Sequence, residues 1–186
     1  MKNKTTYNLT KSAVILAIII ALAFVPGIPI GPVPITIQNA GIILAILLLD
    51  LEWLVGVLFT WLLLIALGLP FATGGTGGFG LFTTPRGGYL IGYFLAAVIV
   101  GLIKIPIAHH IKKHENKYVY AFGIFLGLAV ISAILVDFFG GVGMMFYLGM
   151  SFKASMIATS AFVPLDLVKC FVVSLIAPSI YYNTRK

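Results

Sequence analysis

Six long apolar runs, separated by short polar breaks, set the rhythm of the chain and predict six membrane helices. They cover about Leu9–Val25, Ile37–Leu49, Trp53–Leu69, Gly88–Ala108, Tyr118–Phe138 and Phe162–Tyr181. A helix that crosses the hydrocarbon core needs about 20 mostly apolar residues, so the second run is short for the task. The expected fold is all-α, a six-helix integral membrane protein.

The breaks differ in chemistry. The first, PGIPIGPVPITIQ, carries Pro26, Pro29, Pro32 and Pro34, which exclude regular helix. It reads as an ordered, extended loop leading to Thr36, Gln38 and Asn39. Asp50 and Glu52 mark the next turn. From Pro70 to Tyr93 the chain is glycine-rich, with Gly74, Gly75, Gly77, Gly78, Gly80, Gly87 and Gly88 and a lone charge, Arg86. Glycine lets a ligand approach the backbone closely. In so apolar a chain, bare backbone polar groups are tolerable only in water, in a lined cavity or against a ligand. The stretch is therefore expected to form the lid and part of the wall of a small-molecule site. His109 to Lys117 is a strongly charged loop, and Gly140 to Ser160 reads as a glycine- and methionine-rich connection with room for a short amphipathic helix.

Composition agrees with membrane burial. Of 186 residues, 61% are hydrophobic and 9% charged, too little charge to cover a soluble domain. One compact domain, residues 1–186, fits the length. The net charge of +7 raises the question of nucleic acid, but the basic residues flank apolar runs as orientation signals do. The partner they imply is the lipid bilayer, and no nucleic acid is expected. With the N-terminus inside, Lys2, Lys4, Lys11, Lys104, Lys112, Lys113, Lys117, Arg185 and Lys186 are cytoplasmic, and only Arg86 and Lys153 lie outside. Both termini are then cytoplasmic. The proline loop, the glycine loop and the Tyr147 connection converge outside and can close over one cavity. Lys2, Lys4 and Lys11 before an apolar run resemble a secretion signal; without a convincing cleavage site, the run reads as the first membrane helix.

Asp166 and Lys169 are the candidate chemistry, because charge inside a span is costly and usually functional. Three residues apart, they share one helix face, as a ligand-binding couple or as a structural ion pair. Arg86 is either a solvated loop charge or a carboxylate-capturing group beside the fourth helix's N-terminus, which favours anions. Ala13, Ala17 and Ala21 form a small-residue stripe suited to helix docking, within the bundle or against another subunit. Gly88/Gly92 and Gly123/Gly127 have the same close-packing spacing, and Lys104 is expected to snorkel to the surface. Gly75 to Gly80 matches GxGxxG literally, but without a preceding strand or an opening helix. His109, His110 and His114 beside Lys112, Lys113 and Lys117 read as a solvated basic loop rather than a metal site. Met144, Met145 and Met150 read as packing residues, and lone Cys170 as a buried, inert thiol. No catalytic set, metal-spaced cluster or nucleotide loop is present, so neither an enzyme nor a bound cofactor is expected.

Three motifs, in this order, resemble the BioY family of biotin-binding S components of energy-coupling-factor (ECF) transporters. They are Pro34-Ile-Thr36-Ile-Gln38; Gly74-Gly75-x-Gly77-Gly78 with Pro85-x-Gly87-Gly88-Tyr89-Leu90-x-Gly92; and Pro164-x-Asp166-Leu167-x-Lys169. The resemblance implies a plasma-membrane S component that captures biotin from outside and docks on a transmembrane coupling subunit with two ATPase subunits. It also implies that Ala13, Ala17 and Ala21 face the coupling subunit. For such a ligand, Asp166 can accept from the ureido N–H groups while Lys169 or Gln38 donates to its carbonyl. Tyr89 and Tyr147 would cover the thioether ring. The carboxylate would meet Arg86, the N–H groups of Gly74, Gly75, Thr76 and Gly77, or the fourth helix's N-terminus. Competing readings are an S component for another vitamin, a stand-alone secondary transporter, which should show an inverted repeat, and an intramembrane enzyme.

Overall fold

The computed structural model describes residues 4–29, 31, 33–111 and 117–184, with backbone only for 108–111. The cytoplasmic charges placed at Lys2, Lys112, Lys113, Arg185 and Lys186, and the three histidine side chains, lie outside the described residues. Seven α-helices follow in order: α1 Lys4–Ala23, α2 Gln38–Leu48, α3 Leu51–Ala66, α4 Pro85–Ile111, α5 Lys117–Leu148, α6 Phe152–Ser160 and α7 Val163–Asn183. A 3-10 turn, Phe79–Thr83, precedes α4. Among the described residues, α1, α4, α5 and α7 are long and apolar enough to cross a membrane, whereas α2 and α3 are apolar but shorter.

The centre of the bundle is α2. It packs against α1, α4, α5 and α7, and nine of its 11 residues are buried. A helix apolar on every side has no face to give to water. Its C-terminus ends inside the protein, so the carbonyls freed there need partners. Two lysines supply them: Lys104 Nζ donates to Ile46 O and Leu49 O, and Lys11 Nζ to Leu48 O at 2.9 Å. Lys104, expected at the surface, is instead buried. A cation at a helix C-terminus is favoured both as a donor and by the helix dipole. Lys104→Met keeps the length of the side chain and deletes the donor. It should lower stability by about 2 kcal/mol, read as a thermal midpoint several degrees lower in detergent. An unchanged midpoint would remove Lys104 from the account.

The largest departure from the sequence pattern is α5. At 32 residues it runs ten beyond Phe138 and absorbs Gly140, Gly141 and Gly143, so the expected connection shrinks to a turn before α6. These glycines are contact surfaces rather than breakers. A Cβ on Gly143 would lie 2.6 Å from Gly88 Cα, one on Gly141 would lie 2.1 Å from Met156 Cε, and one on Gly140 would lie 2.3 Å from the Tyr89 ring. Packing overrides helix propensity here. Gly88 and Gly92 thus meet α5, while Gly123 and Gly127 have no neighbour near a would-be Cβ and are exposed. Ala13, Ala17 and Ala21 are exposed as well, so the α1 stripe is not used inside the bundle.

Candidate functional site

A cavity lies where the proline and glycine loops cross the ends of α2, α4, α5 and α7. The space free of protein atoms there, open solvent at the mouth included, is about 660 Å³.

The proline loop folds back through a two-way bridge, Ile28 N to Ile35 O at 2.8 Å and Ile35 N to Ile28 O at 2.9 Å. That turn places Val33 to Thr36 in the cavity wall. The glycine loop is pinned from both sides. Gly74 N and Gly75 N donate to Ala23 O at the end of α1, at 2.8 and 3.3 Å, and Gly78 N to Ile65 O in α3 at 2.7 Å. Thr76 bridges to Ala72 in both directions. Gly77 packs so tightly that a Cβ would fall 2.1 Å from Leu69 O.

These bonds redefine the loop. The amides of Gly74, Gly75 and Thr76, expected to face a carboxylate, are engaged with the protein's own carbonyls. None of Gly74, Gly75, Thr76 or Gly77 lines the cavity; the loop reaches it through Ala72, Thr73 and Leu81. Gln38 anchors the same loop. Its Nε2 donates to Ile19 O at 3.1 Å and Phe71 O at 2.8 Å, and its Oε1 accepts from Thr73 Oγ1 at 2.9 Å. Gln38 lines the cavity with both amide hydrogens committed, which leaves it no hydrogen to donate to a ligand. Trp61 Nε1 adds a second bond to Phe71 O, at 2.9 Å.

The polar floor comes from α2 and α7. Pro164 opens α7, and Asp166 sits buried in its first turn, where the helix dipole favours a carboxylate. Its Oδ1 accepts from Lys169 Nζ at 2.7 Å and from Asn39 Nδ2 at 2.8 Å. The three side chains form one buried network whose pieces come from two helices packed against each other.

Arg86 and Tyr89, both in the first turns of α4, line the same space. Arg86 has no hydrogen-bonding or ion-pairing partner among the described residues. The Tyr89 ring lies on Gly140 and meets Phe162 edge-on with centroids 5.8 Å apart. Tyr93, one α4 turn further, lines the wall and packs edge-on against Trp61 at 6.1 Å. Tyr147 belongs to the last turn of α5, not to a loop. It is exposed outside the cavity lining, and its hydroxyl donates to Phe82 O at 2.9 Å. That bond ties α5 to the 3-10 turn of the glycine loop.

Sequence reasoning missed Asn39, Tyr93 and Asp137 among the residues that line the cavity. Asn39 was noted only as the end of the proline loop. Tyr93 carried no signal beyond being aromatic. Asp137 is buried in α5 and lines the cavity; its signal was a charge within a span, obscured by ending the helix at Phe138.

Long apolar helices around a mostly apolar cavity with a polar floor define a membrane protein with a solvent-open cavity between its helices. The chain belongs to the BioY family, whose model matches residues 1–186. It is 30% identical over 178 residues to the biotin transporter BioY of Rhizobium etli, covering 95% of this chain and 94% of the relative. To the biotin transporter BioY of Lactococcus lactis subsp. cremoris it is 35% identical over 176 residues, covering 94% and 90%. Its structure matches the 2.1 Å crystal structure of the S-component for biotin from an ECF-type ABC transporter, with a TM-score of 0.86 and 33% identity, over 98% of this chain and 94% of the other.

Proposed function

We propose that this protein captures biotin at the outer face of the plasma membrane and passes it inward as the S component of an ECF-type transporter. The observation that carries the reading is the buried Asn39–Asp166–Lys169 network in the floor of the loop-capped cavity, in a chain of the BioY family. A ureido ring presents one carbonyl and two N–H groups, so its pocket needs donors and acceptors side by side in an otherwise apolar wall. A site built for such a group rejects molecules that leave its buried polar atoms unpaired. Lys169 keeps two of its three ammonium hydrogens free of partners among the described residues, which suits donation to the carbonyl. Tyr89 and Tyr93 offer aromatic cover for the apolar ring. Arg86, unpaired at the α4 N-terminus, would meet the carboxylate.

In the membrane, α1 to α5 and α7 make six crossings of a single domain, with both termini cytoplasmic. The loop-capped cavity then faces outside, and the Lys11–Lys104 cap of α2 lies toward the cytoplasm. A helix of 11 residues is only about 16 Å long, so the second crossing is completed by the extended proline loop. The chain performs no chemistry and needs no cofactor. Energy comes from two ATPase subunits through a transmembrane coupling subunit that docks on the exposed face of α1.

The test is uptake of radiolabelled biotin by a biotin-auxotrophic host that lacks its own transporter. Expression of the chain with an energising module should restore uptake, and ATPase subunits without catalytic activity should abolish it. Uptake of another vitamin in place of biotin would keep the S-component assignment and overturn the substrate.

A further inference from the structure

The loop-capped end of the molecule exposes aromatic surface where a water-facing end would carry charge. Phe79 of the glycine loop is 70% exposed and stacks on Phe82, with ring centroids 5.9 Å apart. Tyr147, whose hydroxyl donates to Phe82 O, joins that loop to an exposed elbow. Phe146, 75% exposed, and Leu148 end α5, and Phe152 opens α6. Across residues 67–85 and 139–165 the single charged residue is Lys153, exposed beside Phe152. With nine residues, α6 is too short to cross a bilayer, and it also exposes Ile157, one turn beyond Lys153. Contiguous apolar surface of this kind marks contact with a partner or a membrane.

The length of α5 selects the membrane. At its other end Lys117 Nζ lies 5.5 Å from the Tyr118 ring centroid and 5.3 Å from that of Tyr182. The Tyr182 hydroxyl donates to Lys117 O at 3.0 Å, which ties α7 to the start of α5. Tyrosine beside lysine is a side-chain set of the membrane–water interface. From Tyr118 to Tyr147 the helix rises about 44 Å, or about 41 Å along the membrane normal at a tilt of roughly 20°. A bilayer with its headgroups is roughly 40–45 Å thick. With one end of α5 in one interface, the other end therefore lies in the opposite interface and not in water. Building on the membrane placement above, and independently of the ligand, we propose that the α5–α6 elbow and Phe79 form a lipid-binding surface. Its aromatic side chains sit at the boundary between headgroups and acyl chains, and the Lys153 ammonium meets phospholipid phosphate. The glycine loop, tied to the elbow through Tyr147, is then held at headgroup level, and the cavity opens there.

The experiment is spin-label depth measurement on the purified full chain in phosphatidylcholine bilayers. Nitroxides are placed at Phe146→Cys, at Phe152→Cys and, as a reference, at Ile134→Cys, an exposed position near the middle of α5. Each is made in a Cys170→Ala background. Collisions with oxygen, which concentrates in hydrocarbon, and with a water-soluble nickel chelate report the depth of each label. Labels at 146 and 152 should lose most of the nickel-chelate collisions that the free label makes in water, and should meet less oxygen than the label at 134. Exchanging part of the phosphatidylcholine for phosphatidylglycerol should lower the nickel-chelate collisions at 146 further, and Lys153→Gln should abolish that response, because a lysine near an anionic surface is attracted to it. If Phe146→Cys does not fold, the label at 152 carries the test. Nickel-chelate collisions at 146 and 152 equal to those of the free label would put the elbow in water and overturn the proposal. Dipolar broadening between labels at 146 would put a second copy on this surface and overturn it as well. A response to phosphatidylglycerol that survives Lys153→Gln overturns the phosphate contact. Full nickel-chelate access at 134 would instead overturn the membrane placement beneath the proposal.

Discussion

Asp166→Asn should weaken biotin binding by about a hundredfold or more, roughly 3 kcal/mol. The substitution is nearly isosteric, so the effect isolates charge. Asp166 Oδ1 holds Lys169 at 2.7 Å and Asn39 at 2.8 Å. Removing the charge leaves the Lys169 ammonium, whose side chain is 14% exposed, without its counter-ion. Breaking a buried pair from one side typically costs about 3–5 kcal/mol, because a charge is left uncompensated. Part of that cost should appear as a lower thermal midpoint of the ligand-free protein, and part as misaimed donors and acceptors in the cavity floor. Because the groups act as a unit, Asp166→Asn combined with Lys169→Met should lose little more affinity than Asp166→Asn alone. Calorimetry on the three variants checks both statements. Affinity within twofold of wild type in Asp166→Asn would reduce the pair to a structural bridge.

Ala17→Leu should separate capture from uptake. Ala13, Ala17 and Ala21 all lie exposed on α1, Ala13 at the rim of a groove shared with α3. A leucine there adds bulk without entering the core, and exposed substitutions of this kind usually change stability by no more than about 0.5 kcal/mol. Biotin affinity should therefore stay at the wild-type level. Small residues matter where two helices approach closely in lipid, and the docked coupling subunit would meet that face. Uptake in cells expressing the energising module should fall by about tenfold or more, and the subunits should no longer copurify. A leucine at Ala13 or Ala21 should act in the same direction. Full uptake with leucine at Ala17 would move the docking surface elsewhere.

The helices were legible because each is a mostly apolar run, and the polar gaps between them located both capping loops. What the pattern could not convey is where packing reverses a local preference. Gly140, Gly141 and Gly143 look like a linker, yet each is small because Tyr89, Met156 or Gly88 occupies the space a side chain would need. Ending α5 at Phe138 made Asp137 read as a charge near a helix end, whereas it is buried mid-helix and lines the cavity. The glycine loop was recognised as special for a partly different reason than the one the structure gives. Its positive φ values at Gly74, Gly75 and Gly78 fold the backbone onto α1 and α3, and its amides bind protein carbonyls. Gln38 announced itself as a polar residue at a helix start, but its partners, Ile19, Phe71 and Thr73, are distant in sequence or on another element. The Asp166–Lys169 couple was readable from spacing alone. Asn39, which completes it from α2, was not, since nothing local to residue 39 points to residue 166.

The most direct measurement is a calorimetric titration of biotin into the purified protein, with thiamine and riboflavin as competitors. The account predicts saturable binding at one site per chain, which neither competitor reproduces or displaces. Absence of heat with biotin, or equal binding of thiamine or riboflavin, would contradict it.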